Sequence, residues 1–236
     1  MDKPLVSIMM PAYNVEQYIG QAIESCLSQT YENLELCIVD DGSTDNTWDI
    51  IRSYNDPRIK GDGLVKNYGE ASARNQCLKI SEGDIIARQD SDDYQDPTRI
   101  EKSVNRLLDD RSRPLVTCQM YWVTDGKSTP YKESKGMDYD LYIHRSGGHP
   151  VNGSIVAWKE VYDRAGPFNE ELNVASDGVW NFEALKHYKQ WQFIDEYLYY
   201  YRRHSEQLSK RRTRAQFVNH EKARAEFLRT YELSDL

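Results

Sequence analysis

The apolar positions of this chain follow two periods in turn. Val6–Met10, Leu34–Val39, Ile85–Ala87 and Leu115–Val123 are short apolar runs of the kind shown by strands covered on both faces. Between the first two, Ile19, Ala22, Ile23, Cys26 and Leu27 recur at helical spacing, and Trp48, Ile51 and Tyr54 do so after the second. Strands joined by helices in this way predict right-handed parallel units. Ile59–Val65 is a weaker strand interrupted by Gly61 and Gly63, and a helix of small residues follows Gly69. The pattern then predicts a helix from Pro97 to about Leu108 capped by Asp96, and an aromatic strand over Gln190–Tyr201. Residues 127–148 read as a polar, tyrosine-rich loop, and 213–232 as a basic amphipathic helix that docks on the domain, a partner or a membrane surface.

Chemistry-bearing residues gather where the predicted strands end, which is where sheets of this kind bind ligands. The first strand ends in Pro11-Ala12-Tyr13-Asn14, the second in Asp40-Asp41-Gly42-Ser43-Thr44-Asp45, and the fourth in Gln89-Asp90-Ser91-Asp92-Asp93. Asn14 with Gln17 has the spacing of a capping box for the first helix, and Ser43 or Asp45 suits the cap of the second. Asp90, Asp92 and Asp93 repel one another, and a hard divalent cation, Mg²⁺ or Mn²⁺, relieves such a cluster when it is partly enclosed. By itself Asp-x-Asp fits a solvated turn equally well. Arg74, near the start of the small-residue helix, is placed to face phosphate oxygens, with a surface ion pair as the other reading.

Composition narrows the class. With 236 residues, 39% hydrophobic, and no repeat or linker, the chain reads as a single domain, 1–212, with a C-terminal basic helix over 213–236. The net charge of −8 argues against nucleic acid as a partner. Arg202, Arg203, Lys210, Arg211, Arg212, Arg214, Lys222, Arg224 and Arg229 nevertheless make the tail basic, so it suits phosphates, an anionic membrane surface or simple solvation. No apolar run approaches membrane-spanning length, and no leader core is present. Cys26, Cys37, Cys77 and Cys118 lack Cys-x-x-Cys spacing and read as buried free thiols of a reducing compartment rather than a zinc site.

Pro11-Ala12-Tyr13-Asn14, Val39 through Asp45, Asn67-x-Gly69 with Ala73-Arg74-Asn75, and Ala87 through Asp93 stand in the order and spacing of the family 2 glycosyltransferases, which the chain resembles densely over residues 4–110 and more thinly to about 209. The resemblance implies an α/β GT-A fold: a mostly parallel central sheet flanked by helices, with a nucleotide-sugar half over 1–110 and an acceptor half over 111–212. It implies an inverting, non-processive, metal-dependent transfer of one sugar. The donor is a nucleoside-diphosphate sugar, UDP-linked as the first choice. The acceptor is a hydroxyl of a saccharide or lipid-linked molecule, in cytoplasmic surface-polysaccharide assembly with peripheral membrane contact.

By matched position, the resemblance makes Pro11, Ala12, Tyr13, Asp41 and Asn67 the nucleoside pocket and Asp90 the ribose or metal-side carboxylate. Asp92 becomes the ligand of Mg²⁺ or Mn²⁺ at the diphosphate, and Asp93 a holder of the loop. Asp177 matches the general base, although Ser176 stands where the family usually has a second acid. A helix N-cap is the structural alternative for Asp177. His204, in Arg202-Arg203-His204 with Ser205 and Ser209, matches a further metal or diphosphate ligand, and His149 a contact to sugar or acceptor. The absence of Gln-x-x-Arg-Trp argues against polymerisation. Two other readings stay open: a catalytically silent partner-binding subunit, and a sugar-phosphate nucleotidylyltransferase, against which the sequence after the first strand counts.

Overall fold

The computed structural model describes residues 3–131, 151–172, 175–207, 218–219, 221–223, 225–227 and 229. In chain order the elements are β1 (Val6–Ala12), α1 (Ile19–Leu27), β2 (Leu34–Asp40), α2 (Thr47–Ser53), β3 (Ile59–Gly63), α3 (Glu70–Ile80), β4 (Ile85–Arg88), β5 (Tyr94–Gln95) and α4 (Arg99–Asp109). They continue with β6 (Leu115–Thr124), β7 (Lys127–Pro130), a 3₁₀ turn (Asn152–Ser154), β8 (Val156–Trp158), α5 (Lys159–Ala165), α6 (Ser176–His187) and β9 (Gln192–Arg202).

The strands form one sheet in the order β3-β2-β1-β4-β8-β6-β9-β5, with β7 paired to β6. β1, β2, β3 and β4 run parallel. β8 is antiparallel to β4 and to β6, while β9 is parallel to β6 and antiparallel to β5. The expected parallel sheet therefore describes the first half, and the second half is mixed. Alternate residues of β1 serve different layers, as the two-residue period of a strand requires. Val6, Ile8 and Met10 pack with α1, α2 and α4, whereas Met9 packs with α3, α5 and α6 on the opposite face. Both layers cover the sheet, so β1 and β2 are buried at every position.

Several local expectations shift. α1 begins at Ile19 with no side-chain cap; Asn14 is left-handed at φ 50° and accepts from the Thr44 amide at 2.8 Å instead. α4 begins at Arg99, two residues later than expected, because Asp96 bonds the Thr98 amide (2.9 Å) and hydroxyl (2.7 Å) in a turn before the helix. Asp125 and Gly126 both have positive φ (50° and 73°), the geometry of a tight hairpin, and they fold Lys127–Pro130 back as β7 where a loop was expected. Residues 132–148 of that expected loop, and His149, lie outside the described residues. The four cysteines are free and buried. Among the described residues no helix is long and apolar enough to cross a membrane. The described residues between 218 and 229 are helical, and the buried Phe227 ring lies 5.5 Å from Phe182, so this segment docks on α6. Phe217 and Leu228 lie outside the described residues.

The edge of the sheet away from the motif loops is closed by a polar knot. Ser7 and Glu35, opposed in register, bond at 2.5 Å. Glu35 also accepts from the Glu82 amide at 2.7 Å and pairs with Lys60 at 2.6 Å. Burial pushes the Glu35 carboxyl up, but the bonds from Lys60, Ser7 and Glu82 outweigh burial and hold it below the ordinary glutamate range. A depressed folded value means stability that is present above the unfolded glutamate value and is lost as pH falls through the folded one. Glu35→Gln is expected to lose about 2 kcal/mol at neutral pH. Its denaturant midpoint should also vary less with acidification below the ordinary glutamate range than that of the unaltered protein. An unchanged pH dependence would show that the knot contributes nothing.

Candidate active site

The loops that follow β1 and β2 are bonded to each other before any ligand arrives. The Asn14 amide donates to Ser43 Oγ (2.9 Å), the Val15 amide to Thr47 Oγ1 (2.8 Å) and the Glu16 amide to Asp45 Oδ2 (3.1 Å). In return Glu16 accepts from the Asn46 amide at 3.0 Å. Ser43 and Asp45 are therefore occupied with this bridge and with the turn into α2, where Asp45 accepts from the Thr47 amide at 2.9 Å. Pro11 and Ala12 are buried beside it, while Tyr13 is 43% exposed at the lip.

Asp41 builds the facing wall. Its two carboxylate oxygens accept from the Tyr68 and Gly69 amides, each at 2.8 Å, and the residue is 2% exposed. Burial raises its carboxyl above the ordinary range, against the pull of those two amides. Gly42 makes this possible. With φ at 68° and the Lys66 backbone beside it, an added Cβ would lie 2.6 Å from Lys66 Cα. Asn67 stands exposed at the rim.

The three aspartates after β4 separate by burial. Asp93 is fully buried and accepts from the Arg202 amide at 2.7 Å, so it fastens the loop to β9; burial raises its carboxyl well above the ordinary range. Asp90 is half-buried beside the Tyr199 hydroxyl, which accepts from its amide at 3.2 Å. Burial pushes the Asp90 carboxyl up to about 6, with Arg74 opposing and Asp92 adding to the rise. Asp92 stays partly open, and its Oδ2 lies 2.9 Å from His204 Nε2 although the two are 112 residues apart in the chain.

That pair is the test of the expected metal. Asp92 Oδ2 and His204 Nε2 stand at ordinary hydrogen-bond distance from each other, 2.9 Å, and are the two donors here that could turn to an ion. No cluster of three His, Cys, Asp or Glu groups able to hold a metal occurs among the described residues. A two-donor site suits Mg²⁺ or Mn²⁺, which complete their shell with substrate phosphates and water, and does not suit a structural zinc. The residues fit the ion only together with a diphosphate.

Arg74 departs from expectation. It is 2% exposed, and its Nη2 bonds Glu70 at 2.5 Å and Asp90 at 3.2 Å. Its Nε and Nη2 are thus held by carboxylates, while Nη1 has no hydrogen-bond partner among the described residues. The ion pairs match the alternative reading, in a buried rather than a surface setting, and bring Arg74 to Asp90.

On the other side of Asp90, the Asn152–Ser154 turn joins the two halves of the site. An added Cβ at Gly153 would lie 2.7 Å from Asp90 Oδ2. The preceding Asn152 donates through Nδ2 to Asp177 Oδ2 at 2.6 Å, and its own oxygen accepts from Asn181 at 2.6 Å. Asp177 sits in the first turn of α6 rather than at its cap, which is Ala175 at φ 64° without a side-chain bond. Asp177 Oδ1 takes only the amide of its neighbour Gly178, at 2.7 Å. The cap alternative is thereby set aside. Sequence reading missed Asn152 and Tyr199. Asn152-Gly153, a turn-forming dipeptide before an apolar strand, was the one visible sign.

The site thus combines a parallel half-sheet with joined loops at its carboxyl ends, a carboxylate–imidazole pair and a separate carboxylate across a shared turn. A family model, glycosyl transferase family 2, matches residues 7–168, and the chain belongs to that family. It is 45% identical over 144 residues to an uncharacterized glycosyltransferase of Haemophilus influenzae, covering 59% of this chain and 57% of that protein. It is 50% identical over 103 residues to the Escherichia coli UDP-Glc:alpha-D-GlcNAc-diphosphoundecaprenol beta-1,3-glucosyltransferase WfaP, covering 43% of this chain and 40% of the relative. The matches thus span about half the length of these curated relatives. Among solved structures, S. aureus TarS in complex with UDP-GlcNAc superposes with a TM-score of 0.73 at 24% identity, over 88% of this chain and 61% of that one, which shows the fold.

Proposed function

We propose that this chain carries the catalytic centre of a metal-dependent, inverting glycosyltransferase that moves one sugar from a UDP-sugar to a hydroxyl of a saccharide carried on a lipid diphosphate. The observation that carries the reading is the Asn152–Ser154 turn, which sets Asp177 on one side and Asp90 on the other within two residues of backbone. A donor sugar held between a diphosphate site and a base is the arrangement that in-line displacement needs. The nucleotide choice rests on the UDP-Glc named for WfaP and the UDP-GlcNAc bound by TarS, and the acceptor class on the WfaP acceptor.

In this reading the nucleoside enters between the joined loops. Tyr13 lies against the base, Pro11 and Ala12 form the floor, and Asn67 and the Asp41 wall flank it. Asp92 and His204 hold Mg²⁺ or Mn²⁺, which when bound offsets the charge that develops on the departing nucleoside diphosphate. Asp90, oriented by Arg74, faces the ribose and diphosphate side. Asp177 takes the proton of the acceptor hydroxyl as that oxygen attacks C1 from the face opposite the leaving group. Its Oδ2 is steadied by Asn152, and the carboxylate is half-buried at the mouth of α6. We place donor binding in residues 1–110 and acceptor binding in 111–212. The site works from the cytoplasmic side, at a membrane surface that presents the lipid-borne acceptor.

Calorimetric titration of UDP, GDP and dTDP, each with Mn²⁺ and with EDTA, tests the donor side. UDP is expected to bind, and chelation or either of Asp92→Ala and His204→Ala is expected to weaken it by about tenfold or more. Equal UDP affinity in EDTA and in both variants would remove the metal from the reading.

A further inference from the structure

The imidazole paired with Asp92 is held in an unusual way. A histidine that ligates a metal is normally aimed by a hydrogen bond from its second ring nitrogen to a carboxylate, a carbonyl or water. His204 offers Nε2 to Asp92 at 2.9 Å, but its Nδ1 is buried and has no hydrogen-bond partner among the described residues. The backbone is fixed well enough. The His204 amide donates to Gln207 Oε1 at 3.1 Å, and Gln207 donates in turn to the Arg202 carbonyl. Those bonds place the Cα of His204 and leave its side-chain torsions free, so the plane of the imidazole has to be set by contact.

The contact is with Tyr18. The two ring centroids lie 4.5 Å apart, with the planes inclined at 41°. At that distance one ring bars the other from turning. Tyr18, which precedes α1, is itself fastened. Its amide donates to the Val15 carbonyl at 2.8 Å in the loop after β1, where Thr47 holds the Val15 amide. The Arg202 guanidinium carbon lies 4.7 Å from the Tyr18 centroid and 5.4 Å from that of Tyr94, close enough for the cation to be shared by both rings. Arg202 Nη2 also donates to Gln21 Oε1 of α1 at 2.5 Å, while the Arg202 amide is the donor that Asp93 accepts. Arg202, Tyr18 and His204 therefore form one connected stack between α1 and the end of β9.

We propose that Tyr18 is the positioning residue of His204: its ring stands in for the missing Nδ1 bond and keeps Nε2 turned to Asp92, where the two meet a divalent cation bound to the donor diphosphate. Tyr18 acts through His204 and gives the ion no ligand of its own. The inference rests on Asp92 and His204 as the metal pair. It adds that the loop carrying Tyr13, assigned to the nucleoside base, also sets a metal ligand, so that one turn of chain serves both ends of the nucleoside diphosphate.

Titration of the whole chain with Mn²⁺ at saturating UDP, read by electron paramagnetic resonance of the free ion, tests this without turnover. Tyr18→Leu removes the ring at a half-buried position and keeps apolar bulk. It is expected to weaken Mn²⁺ binding by about tenfold or more, the effect of removing a group that orients a metal ligand. Tyr18→Phe is expected to retain the affinity of the unaltered protein. A merely structural tyrosine would lower the melting temperature in Tyr18→Leu and leave the Mn²⁺ affinity of the folded protein where it was. A second measurement leaves residue 18 as it is. With Mg²⁺ and UDP, nuclear Overhauser contacts are expected between the Tyr18 and His204 rings, assigned by their loss in His204→Gln. Unchanged Mn²⁺ affinity in folded Tyr18→Leu, or no ring contact in the Mg²⁺–UDP complex, overturns the proposal alone. An affinity unmoved in His204→Ala would instead remove the metal pair, and this proposal with it.

Discussion

Asp177→Asn is expected to lower the transfer rate by on the order of 10² to 10⁴, the range that a positioned general base contributes, while UDP binding stays within about twofold. The geometry makes the substitution clean. Asn181 donates to Asn152, and Asn152 donates to Asp177 Oδ2, so an asparagine at 177 keeps the oxygen that this relay needs. Only the second oxygen, which meets the Gly178 amide, becomes a donor facing a donor. The fold loses little and the proton acceptor is gone. On the proposed reading, UDP release from a UDP-sugar in the presence of a lipid-borne saccharide acceptor reads the rate. Calorimetry reads the binding. A variant that transfers at the wild-type rate would move the base elsewhere, whereas one that binds no UDP would make Asp177 part of the donor site.

Gly153→Ala should damage both halves of the site at once. The new methyl would overlap the Tyr199 hydroxyl and stand 2.6 Å from Tyr199 Cζ and 2.7 Å from Asp90 Oδ2. Tyr199 cannot yield, since it is fully buried in a strand held between β6 and β5. The turn must move instead, carrying Asn152 away from Asp177 and pressing on Asp90. Overpacking of this kind costs about 1–3 kcal/mol, and a misplacement of about 1 Å costs on the order of 10²-fold in rate. Gly20→Ala is the control. Its Cβ would meet only the Tyr54 hydroxyl at 3.5 Å inside α1, and helix propensity predicts a gain of up to about 1 kcal/mol. If Gly153→Ala melts and turns over like the Gly20 control, the shared turn is not what couples the two sides.

Sequence reading was strongest where function and backbone coincide. Strands ending in Tyr13, Asp41 and Asp90 came from apolar runs interrupted by acids, and the sheet places all three at one edge. The division of labour within Asp90-Ser91-Asp92-Asp93 was readable only through resemblance. What separates these carboxylates is burial by β9, which arrives more than a hundred residues later. Arg74 shows the limit from the other direction. The Glu70 pair, four residues earlier on the same helix, was readable as the ion-pair alternative, but nothing local reveals that Asp90 shares the guanidinium or that the pair is buried. Arg88 reads in sequence as an ordinary end to a strand, and the rings around it, Tyr162, Trp180 and Phe168, come from α5, α6 and the turn between them. Helix starts were misplaced by four residues at α1 and two at α4 because Asn14, a good cap by type, bonds Thr44 in the loop after β2, and Asp96 bonds within the turn that precedes α4.

The bonds between the loops after β1 and β2 bear on how a nucleotide would be received. Walls already fastened to each other surrender little conformational freedom when a base slides between them, so that part of the binding free energy is not spent on ordering chain. Recognition of the nucleoside then resembles a rigid slot. On the proposed reading, discrimination between bases would be set by the slot's width rather than by closure around the ligand, and a change at Asn14 or Asp45 would alter nucleotide preference without touching the nucleotide.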